Sequence, residues 1–452
     1  MHDVINPANE QVIASVPSAT VEETDEAIVR AHEAFPAWRD LAPGDRANLL
    51  RAFSDVVRDH AEELAQLEVA NAGHTISNAR WEANNVANVL AYYAGAPERL
   101  FGRQIPVPGG IDITFKEPVG VVGVIVPWNF PMPIAGWGFA PALAAGCTVV
   151  LKPAEITPLT AIRLGELALE AGIPAHVFTV VTGKGSVVGQ RFVDHELVRK
   201  VVFTGSTEVG QGIMAGAARQ VKAVTLELGG KSANVIFADA DLEKAAASAP
   251  YGVFDNAGQD CCARSRILVQ RSVFDRFMEL FEPAVKGVKV GDPLLDATEM
   301  GPLVSKAQFD TVSGFLDGSA PIAFQGECPD GPGYWLPATV LAPVDSTARV
   351  FQEEIFGPVV VVTPFEDEAD AIRLANDSEY GLSGSIWSRD LGRAIRVSRA
   401  IESGNLSVNS HSSVRYWTPF GGYKKSGLGR ELGPDALDAF TETKNVFIST
   451  EE

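Results

Sequence analysis

The sequence predicts an α/β protein of two open lobes with a small additional strand pair, and three observations predict it. From residue 119 onward, short β-branched runs alternate with helical stretches, the pattern of βαβ units on a parallel sheet. A second alternating set begins near Ala233-Asn234-Val235-Ile236-Phe237 and continues to about Asn409. At 452 residues the chain is also too long for one ordinary core.

In chain order, residues 21–93 read as helical. Ala47, Leu49, Leu50, Phe53, Val56 and Val57 recur at the three-to-four spacing of an amphipathic helix. Residues 111–116 (Ile-Asp-Ile-Thr-Phe-Lys) alternate apolar and polar, as a half-exposed strand does. Strands are expected at 121–126, 148–151, 177–181 and 201–203, with a helix over 159–169. Residues 326–337 are turn-rich and read as a surface excursion. The tail Asn445-Val446-Phe447-Ile448-Ser449 is a strand candidate without a local partner.

A hydrophobic content of 46% with 42 Gly and 28 Pro fits a globular, loop-rich protein. The net charge of −20 excludes a nucleic-acid surface, which needs clustered Lys and Arg. Cys147, Cys261, Cys262 and Cys328 are too few for a disulfide framework. The start, Met1-His2-Asp3-Val4, lacks a basic-then-apolar signal pattern, and the apolar run near 119–126 ends at Pro127, far short of a membrane span. A soluble, cytoplasmic protein without membrane partners is therefore expected. The seven histidines show no metal-ligand spacing, so no metal is expected.

Two Gly-containing breaks carry the chemistry. Glu227 ends an apolar run before Leu228-Gly229-Gly230-Lys231, and Cys261-Cys262 follow Gly258-Gln259-Asp260. A thiol can attack a carbonyl, and a carboxylate can activate the water that clears the resulting thioester. Which cysteine attacks is left open by these residues alone. Asn129, in Pro127-Trp128-Asn129-Phe130, follows a strand and can offer its amide to a developing oxyanion. Lys152 and Glu155, also after a strand, suit ribose hydroxyls. Gly205-Ser206 run from a strand into a helix, where free N–H groups suit a pyrophosphate. Glu354 and Phe356 in Glu354-Ile355-Phe356-Gly357-Pro358 suit a ribose and a ring.

Taken in order, these motifs and Pro419-Phe420-Gly421-Gly422 resemble the aldehyde dehydrogenase superfamily over nearly the whole chain. The resemblance implies two open α/β domains, one cofactor-binding and one catalytic, plus a small β bridging and oligomerisation segment. The boundaries it implies are 1–101 and 119–229 for the NAD-binding domain, to which 426–439 returns. Residues 230–425 would be catalytic, and 102–118 with 440–452 would be oligomerisation strands pairing between subunits of a homodimer or homotetramer.

By the same resemblance Cys261 is the nucleophile, Cys262 a packing neighbour, Glu227 the base and Asn129 an oxyanion donor. Val126, Pro127, Trp128, Lys152, Glu155, Gly205, Ser206, Gly229, Glu354 and Phe356 would hold the cofactor. That cofactor is NAD, with NADP possible, because Glu155 repels a 2′-phosphate. Phe130, Trp137, Tyr416 and Trp417 would line an aromatic aldehyde tunnel, and Arg415 would meet a substrate carboxylate or simply be solvated. The implied reaction is hydrolytic oxidation of an aldehyde to its acid. A CoA-acylating relative would typically lack Glu227, and an idle scaffold would have lost Cys261, Asn129 or Glu227. Two departures stand out. The chain begins later than many members, without a stretch that carries no chemistry in them. Ala171-Gly172-Ile173-Pro174-Ala175-His176-Val177 lacks the Gly and Asn usual after the Pro, leaving that loop's geometry open.

Overall fold

The computed structural model describes residues 1–412 and 414–451. The chain opens with an antiparallel pair that periodicity did not reveal, β1 (His2–Ile5) with β2 (Val12–Val16). Four helices follow across the region expected to be helical: α1 (Val21–Arg39), α2 (Pro43–Asp59), α3 (Ala61–Ala72) and α4 (Ile76–Ala94). A capping box starts α1, with the Thr20 hydroxyl accepting from the Glu23 N–H and the Glu23 carboxylate accepting in return. The α2 residues expected to face inward, Leu50, Phe53 and Val57, are buried in one core with Val86 and Leu90 of α4.

After β3 (Gln104–Ile105) and β4 (Gly110–Pro118) the first large sheet winds up. It is built from β5 (Val121–Ile125), α5 (Pro131–Ala145), β6 (Thr148–Lys152), α6 (Leu159–Glu170), β7 (Phe178–Val180), α7 (Gln190–Asp194), β8 (Val198–Thr204), α8 (Thr207–Ala218) and β9 (Ala223–Glu227). The parallel order is β9-β8-β5-β6-β7. The chain steps outward from β5 to β7, then returns to the other side of β5 as β8. A topological switch point therefore falls between β5 and β8, where open sheets hold ligands at their carboxyl edge. Every residue of β5, β6 and α5 is buried, as expected for parallel strands covered on both faces and for a central helix.

The second sheet uses β10 (Ala233–Ile236), α9 (Leu242–Phe254), β11 (Arg266–Gln270), α10 (Phe274–Lys286), α11 (Lys306–Ser313), β12 (Ile322–Gln325), β13 (Thr339–Leu341), α12 (Arg349–Gln352) and β14 (Val359–Phe365). It continues with α13 (Glu368–Asn376), β15 (Tyr380–Gly381), β16 (Ser383–Trp387), α14 (Leu391–Ala400) and β17 (Asn405–Val408). Its order is β12-β13-β14-β11-β10-β16-β17, parallel apart from the β12 edge. Between β12 and β13, the excursion folds back onto the N-terminal turn, where the Tyr334 N–H donates to the Pro7 carbonyl at 3.1 Å. Three short strands complete the chain: β18 (Tyr423–Lys424) beside β15, β19 (Gly427–Leu428) on the β9 edge, and β20 (Thr441–Ser449).

The two segments read as strands without local partners pair with each other inside the chain. β20 runs antiparallel to β4 from Thr441 opposite Pro118 to Ser449 opposite Gly110. Nine ladder positions join the two strands, and the other edge of β20 carries no strand among the described residues. The open loop geometry is also resolved: His176 takes φ 69°, the left-handed conformation in which a glycine is easiest.

Arg266, almost fully buried on β11, knits the second sheet to its covering helix. Its guanidinium donates to the carbonyls of Lys231 (2.8 Å), Leu374 (3.0 Å), Ala375 (2.8 Å) and Asp377 (3.2 Å). Burial pulls its pKa down to about 10, so it stays charged. Arg266→Met strands those carbonyls and should lower stability by roughly 3 kcal/mol or more. Denaturant titration checks this, and an unchanged midpoint would contradict it.

Candidate active site

The carboxyl edge of the first sheet gathers most of the residues singled out from sequence. Val126 to Asn129 leave β5, Lys152 ends β6, Gly205 and Ser206 leave β8, and Glu227 ends β9. The second sheet supplies Cys261, on the loop between α9 and β11. The two meet at a cavity of about 370 Å³ lined by Glu227, Cys261, Cys262, Phe130 and Trp137, among others.

The cysteine loop is held under conformational strain. Asn256, Ala257 and Gly258 take φ 50°, 54° and 71° in succession, and only the last is a glycine. A Cβ on Gly258 would lie 2.0 Å from the Gly357 carbonyl oxygen. Amide side chains stitch the loop in place. Asn129 Nδ2 donates to the Gln259 carbonyl (3.0 Å), while Asn256 Nδ2 donates to the Asn129 carbonyl (2.8 Å). Gln259 Oε1 accepts from the Val304 N–H (2.9 Å). The Asp260 carboxylate accepts from the Cys262 N–H (2.8 Å). Cys262 is buried and Cys261 is the more exposed of the two. A hydrogen bond with Cys262, then burial, push the Cys261 thiol well above its usual range, so the resting sulfur is protonated.

Glu227 is buried, and neither carboxyl oxygen has a hydrogen-bond partner among the described residues. Burial first, then Glu431, hold its pKa far above the ordinary carboxylate range. Glu431 lies in the same lining, equally unpartnered, and burial raises it to about 8 against the pull of Lys200. Gly421, from the Pro419-Phe420-Gly421-Gly422 turn, packs against Glu227: a Cβ there would lie 2.7 Å from Oε1.

The cofactor-side residues also converge. Lys152 is buried, its ammonium donating to the Pro153 carbonyl (2.6 Å), with burial drawing its pKa down to about 8. Glu155 is half-buried three positions on. Ser206 caps the twelve-residue α8, accepting from the Val209 N–H (3.4 Å). Glu354 Oε1 accepts from the Gly230 N–H (2.7 Å), and its other oxygen lies against Gly229, where a Cβ would come within 2.4 Å. Burial raises Glu354 to about 7. The Trp128 and Phe356 rings meet edge-on at 5.2 Å. A buried ammonium, a helix N-terminus, a backbone cradle without side chains and a ring pair form a donor set that fits a dinucleotide.

On the substrate side, Phe130 and Trp137 line the cavity, and Trp137 Nε1 donates to Asn85 Oδ1 (3.1 Å). Tyr416 and Trp417 do not line it. They pack on each other at 4.5 Å, with Tyr416 also against Tyr92, and Val414 takes the lining position instead. Arg415 is exposed, donating to Ser412 Oγ (3.4 Å), away from the lining. Sequence reasoning missed the α4 face Asn78, Trp81 and Glu82, together with Tyr251, Asp255 and Glu431. Polar Asn78, Glu82 and Asn85 at four- and seven-residue offsets on one helix were the available signal for the first group. Glu431 had none, because a Glu in a glycine-rich turn reads as solvated.

Comparison with known proteins agrees with this geometry. The sequence profile of the Aldehyde dehydrogenase family matches residues 1–446. An aldehyde dehydrogenase of Emericella nidulans is 43% identical over 98% of this chain and 90% of its own length. Phenylacetaldehyde dehydrogenase of Pseudomonas fluorescens is 41% identical over 99% of this chain and 92% of its own. A crystal structure of betaine aldehyde dehydrogenase from Staphylococcus aureus, in complex with NAD+, superposes with a TM-score of 0.97 at 41% identity, covering 100% of this chain and 92% of that one. The chain belongs to the aldehyde dehydrogenase family, and is an oxidoreductase acting on an aldehyde.

The tightest constraint on the site is at Gly230, where a Cβ would sit 2.2 Å from the Cys261 carbonyl oxygen. Gly230→Ala must push the cysteine loop away, and a displacement near 1 Å costs roughly 100-fold in rate. The variant should keep its circular dichroism spectrum and lose about that much kcat; wild-type turnover would refute the constraint.

Proposed function

We propose that Cys261 is the nucleophile, Glu227 the deacylation base and Asn129 an oxyanion donor for NAD-dependent oxidation of an aldehyde to its acid. The cavity shared by Cys261 and Glu227, at the carboxyl edge of the switch-point sheet, carries the reading. The Cys261 thiol gives its proton to a water in the cavity as its sulfur bonds to the aldehyde carbon, and the C=O π pair moves onto the oxygen. The oxygen, now negative, is received by Asn129 Nδ2–H and the Cys261 N–H. Bound NAD supplies the acceptor for the hydride that leaves this carbon, and Lys152, Glu155, Ser206, Gly229, Glu354 and Phe356 would hold it. Glu227 then takes a proton from water, the hydroxyl oxygen bonds to the thioester carbon, and the carbon–sulfur bond breaks to release acid and thiolate. Glu227 also argues for water over coenzyme A as acceptor. Glu155 favours NAD over NADP by charge.

Residues 1–101, 119–229 and 426–439 would form the NAD-binding domain, 230–425 the catalytic domain, and 102–118 with 440–452 the oligomerisation segment. The outer edge of β20 and the exposed side chains of Ile111, Phe115, Phe447 and Ile448 support a homodimer or homotetramer joined through that sheet. Among the described residues no helix is long and apolar enough to cross a membrane. Four free cysteines support a cytoplasmic site.

Cys261→Ala should abolish NADH formation, followed by absorbance, while Cys262→Ala largely spares it; an active Cys261→Ala protein would sink the nucleophile assignment. The raised pKa of Glu227 sets a pH dependence. Its carboxyl is neutral at low pH and becomes a base only as pH climbs through the raised value, so kcat should rise with pH well above the range in which an ordinary carboxylate titrates. Removing the neighbouring carboxylate in Glu431→Gln lowers the Glu227 pKa and should shift that rise to lower pH. Coincident profiles for the two proteins would contradict the coupling.

A further inference from the structure

Among the described residues, the cavity lining carries the carboxyl groups of Glu82, Glu227, Asp255, Asp260 and Glu431 against one guanidinium, Arg264. Arg264 is committed elsewhere, donating to the carbonyls of Cys262 (2.7 Å) and His411 (2.9 Å) and to Ser385 Oγ (3.2 Å). His411 is neutral, since burial pulls it down to about 3. The wall made by α4 and the start of the cysteine loop therefore carries more carboxyl groups than cations, with His74 paired to Glu82 behind it.

Two oxygens on that wall stand out. Glu82 is fully buried; its Oε1 pairs with His74 Nδ1 at 2.6 Å, but its Oε2 has no partner among the described residues. Asp255 receives bonds from Asn78 Nδ2 (2.5 Å) and its neighbour's N–H on Asn256 (3.1 Å), and both fall on Oδ1. Asn78 and Glu82 lie one helical turn apart, so Asp255 is drawn to the α4 face that presents Glu82. The aromatic rings of Trp81 and Tyr251, 52% and 67% exposed, flank this wall and suit a passing cation.

We propose that Asp255 and Glu82 receive a protonated amino group on the substrate, making small ω-amino aldehydes the preferred class. This rests on the reading that Cys261 attacks an aldehyde in the same cavity. A buried acceptor without a donor is unfavourable, and an ammonium with three N–H groups supplies donors as well as charge. A neutral alkyl aldehyde supplies neither. A trimethylammonio group supplies charge without donors and leaves both oxygens unbonded. Asp255 is the specificity residue in direct contact, and His74 is the positioning residue that holds Glu82. Burial opposes charge on His74, but Glu82 and then Glu68 outweigh it and hold its pKa up at about 9.

The test measures kcat/KM of the full chain with NAD for 3-aminopropanal, butanal and 3-(trimethylammonio)propanal. The amino aldehyde should exceed both others by about tenfold or more, the scale of a charge-assisted hydrogen bond. The isosteric Asp255→Asn should reduce that preference at least several-fold. Butanal or the trimethylammonio compound matching 3-aminopropanal in the wild type would overturn the inference, as would a preference that survives Asp255→Asn. Oxidation of butanal without amino preference defeats this inference alone. Failure to oxidise any aldehyde defeats the underlying reading as well.

Discussion

The site depends on a backbone crossing that leaves no room for a side chain. The strand end carrying Glu227 continues into Gly229-Gly230, and Gly230 passes so near the Cys261 carbonyl that a Cβ would sit 2.2 Å from it. That crossing is where the two parallel sheets join. It sets thiol and carboxyl into one cavity although they belong to different sheets, and it delivers the Gly230 N–H to Glu354. The strained run Asn256-Ala257-Gly258 is the other half of the same constraint: two non-glycine residues in the left-handed region, held there by amide hydrogen bonds to Asn129 and Gln259. Such strain persists where surrounding bonds over-determine it. Local stability is given up around Cys261, and the buried sheets on either side can sustain that loss.

Burial governs the electrostatics as strongly as it governs the packing. Glu227, Glu431 and Glu354 are all raised by desolvation, to about 8 for Glu431 and about 7 for Glu354, so each holds its proton to higher pH than an ordinary carboxyl. The catalytic region therefore rests with less charge than its composition suggests. Asp255 is raised only to about 6 and remains largely ionised at neutral pH, with Asn78 bonding to it. The cavity thus sets the raised Glu227 and Glu431 on one side and the ionised Asp255 on another. The first suits chemistry and the second recognition.

Much of the fold was legible because parallel strands announce themselves. The runs at 121–126, 148–151, 177–181 and 201–203 all became strands of one sheet, and the helical reading of 21–93 resolved into four helices. Glu227 and Asn129 could be singled out because they lie at or just past strand ends near Gly or Pro, where open sheets place chemistry, and Cys261 because it follows a Gly-containing break. The β1–β2 hairpin escaped because its strands are short and half-exposed. Tyr416 and Trp417 were over-read: aromatic side chains near a site pack on one another as readily as on a substrate, and a loop sequence carries no side-chain direction. The pairing of β4 with β20 joins segments more than three hundred residues apart, and periodicity has no reach over that separation. The α4 wall was hidden for the opposite reason. Its polar face was visible, but nothing local says that it meets a cavity and not water.

The neutral resting thiol bears on how the two half-reactions are linked. A hydrogen bond with Cys262 and burial raise Cys261, and burial raises Glu227, so the anionic forms of the proposed nucleophile and the proposed base are both disfavoured. This protects the sulfur, because oxidation follows thiolate character. In the proposed mechanism, attack on the aldehyde must then be accompanied by removal of the thiol proton, and the thioester must later be cleared by a carboxylate that is free to take one. If Glu227 serves as acceptor in both, it must shed the first proton before it can accept the second, and a buried carboxyl with no hydrogen-bond partner can do so only through another group or through water. Glu431 lies in the same lining, and its charge adds to burial in raising Glu227.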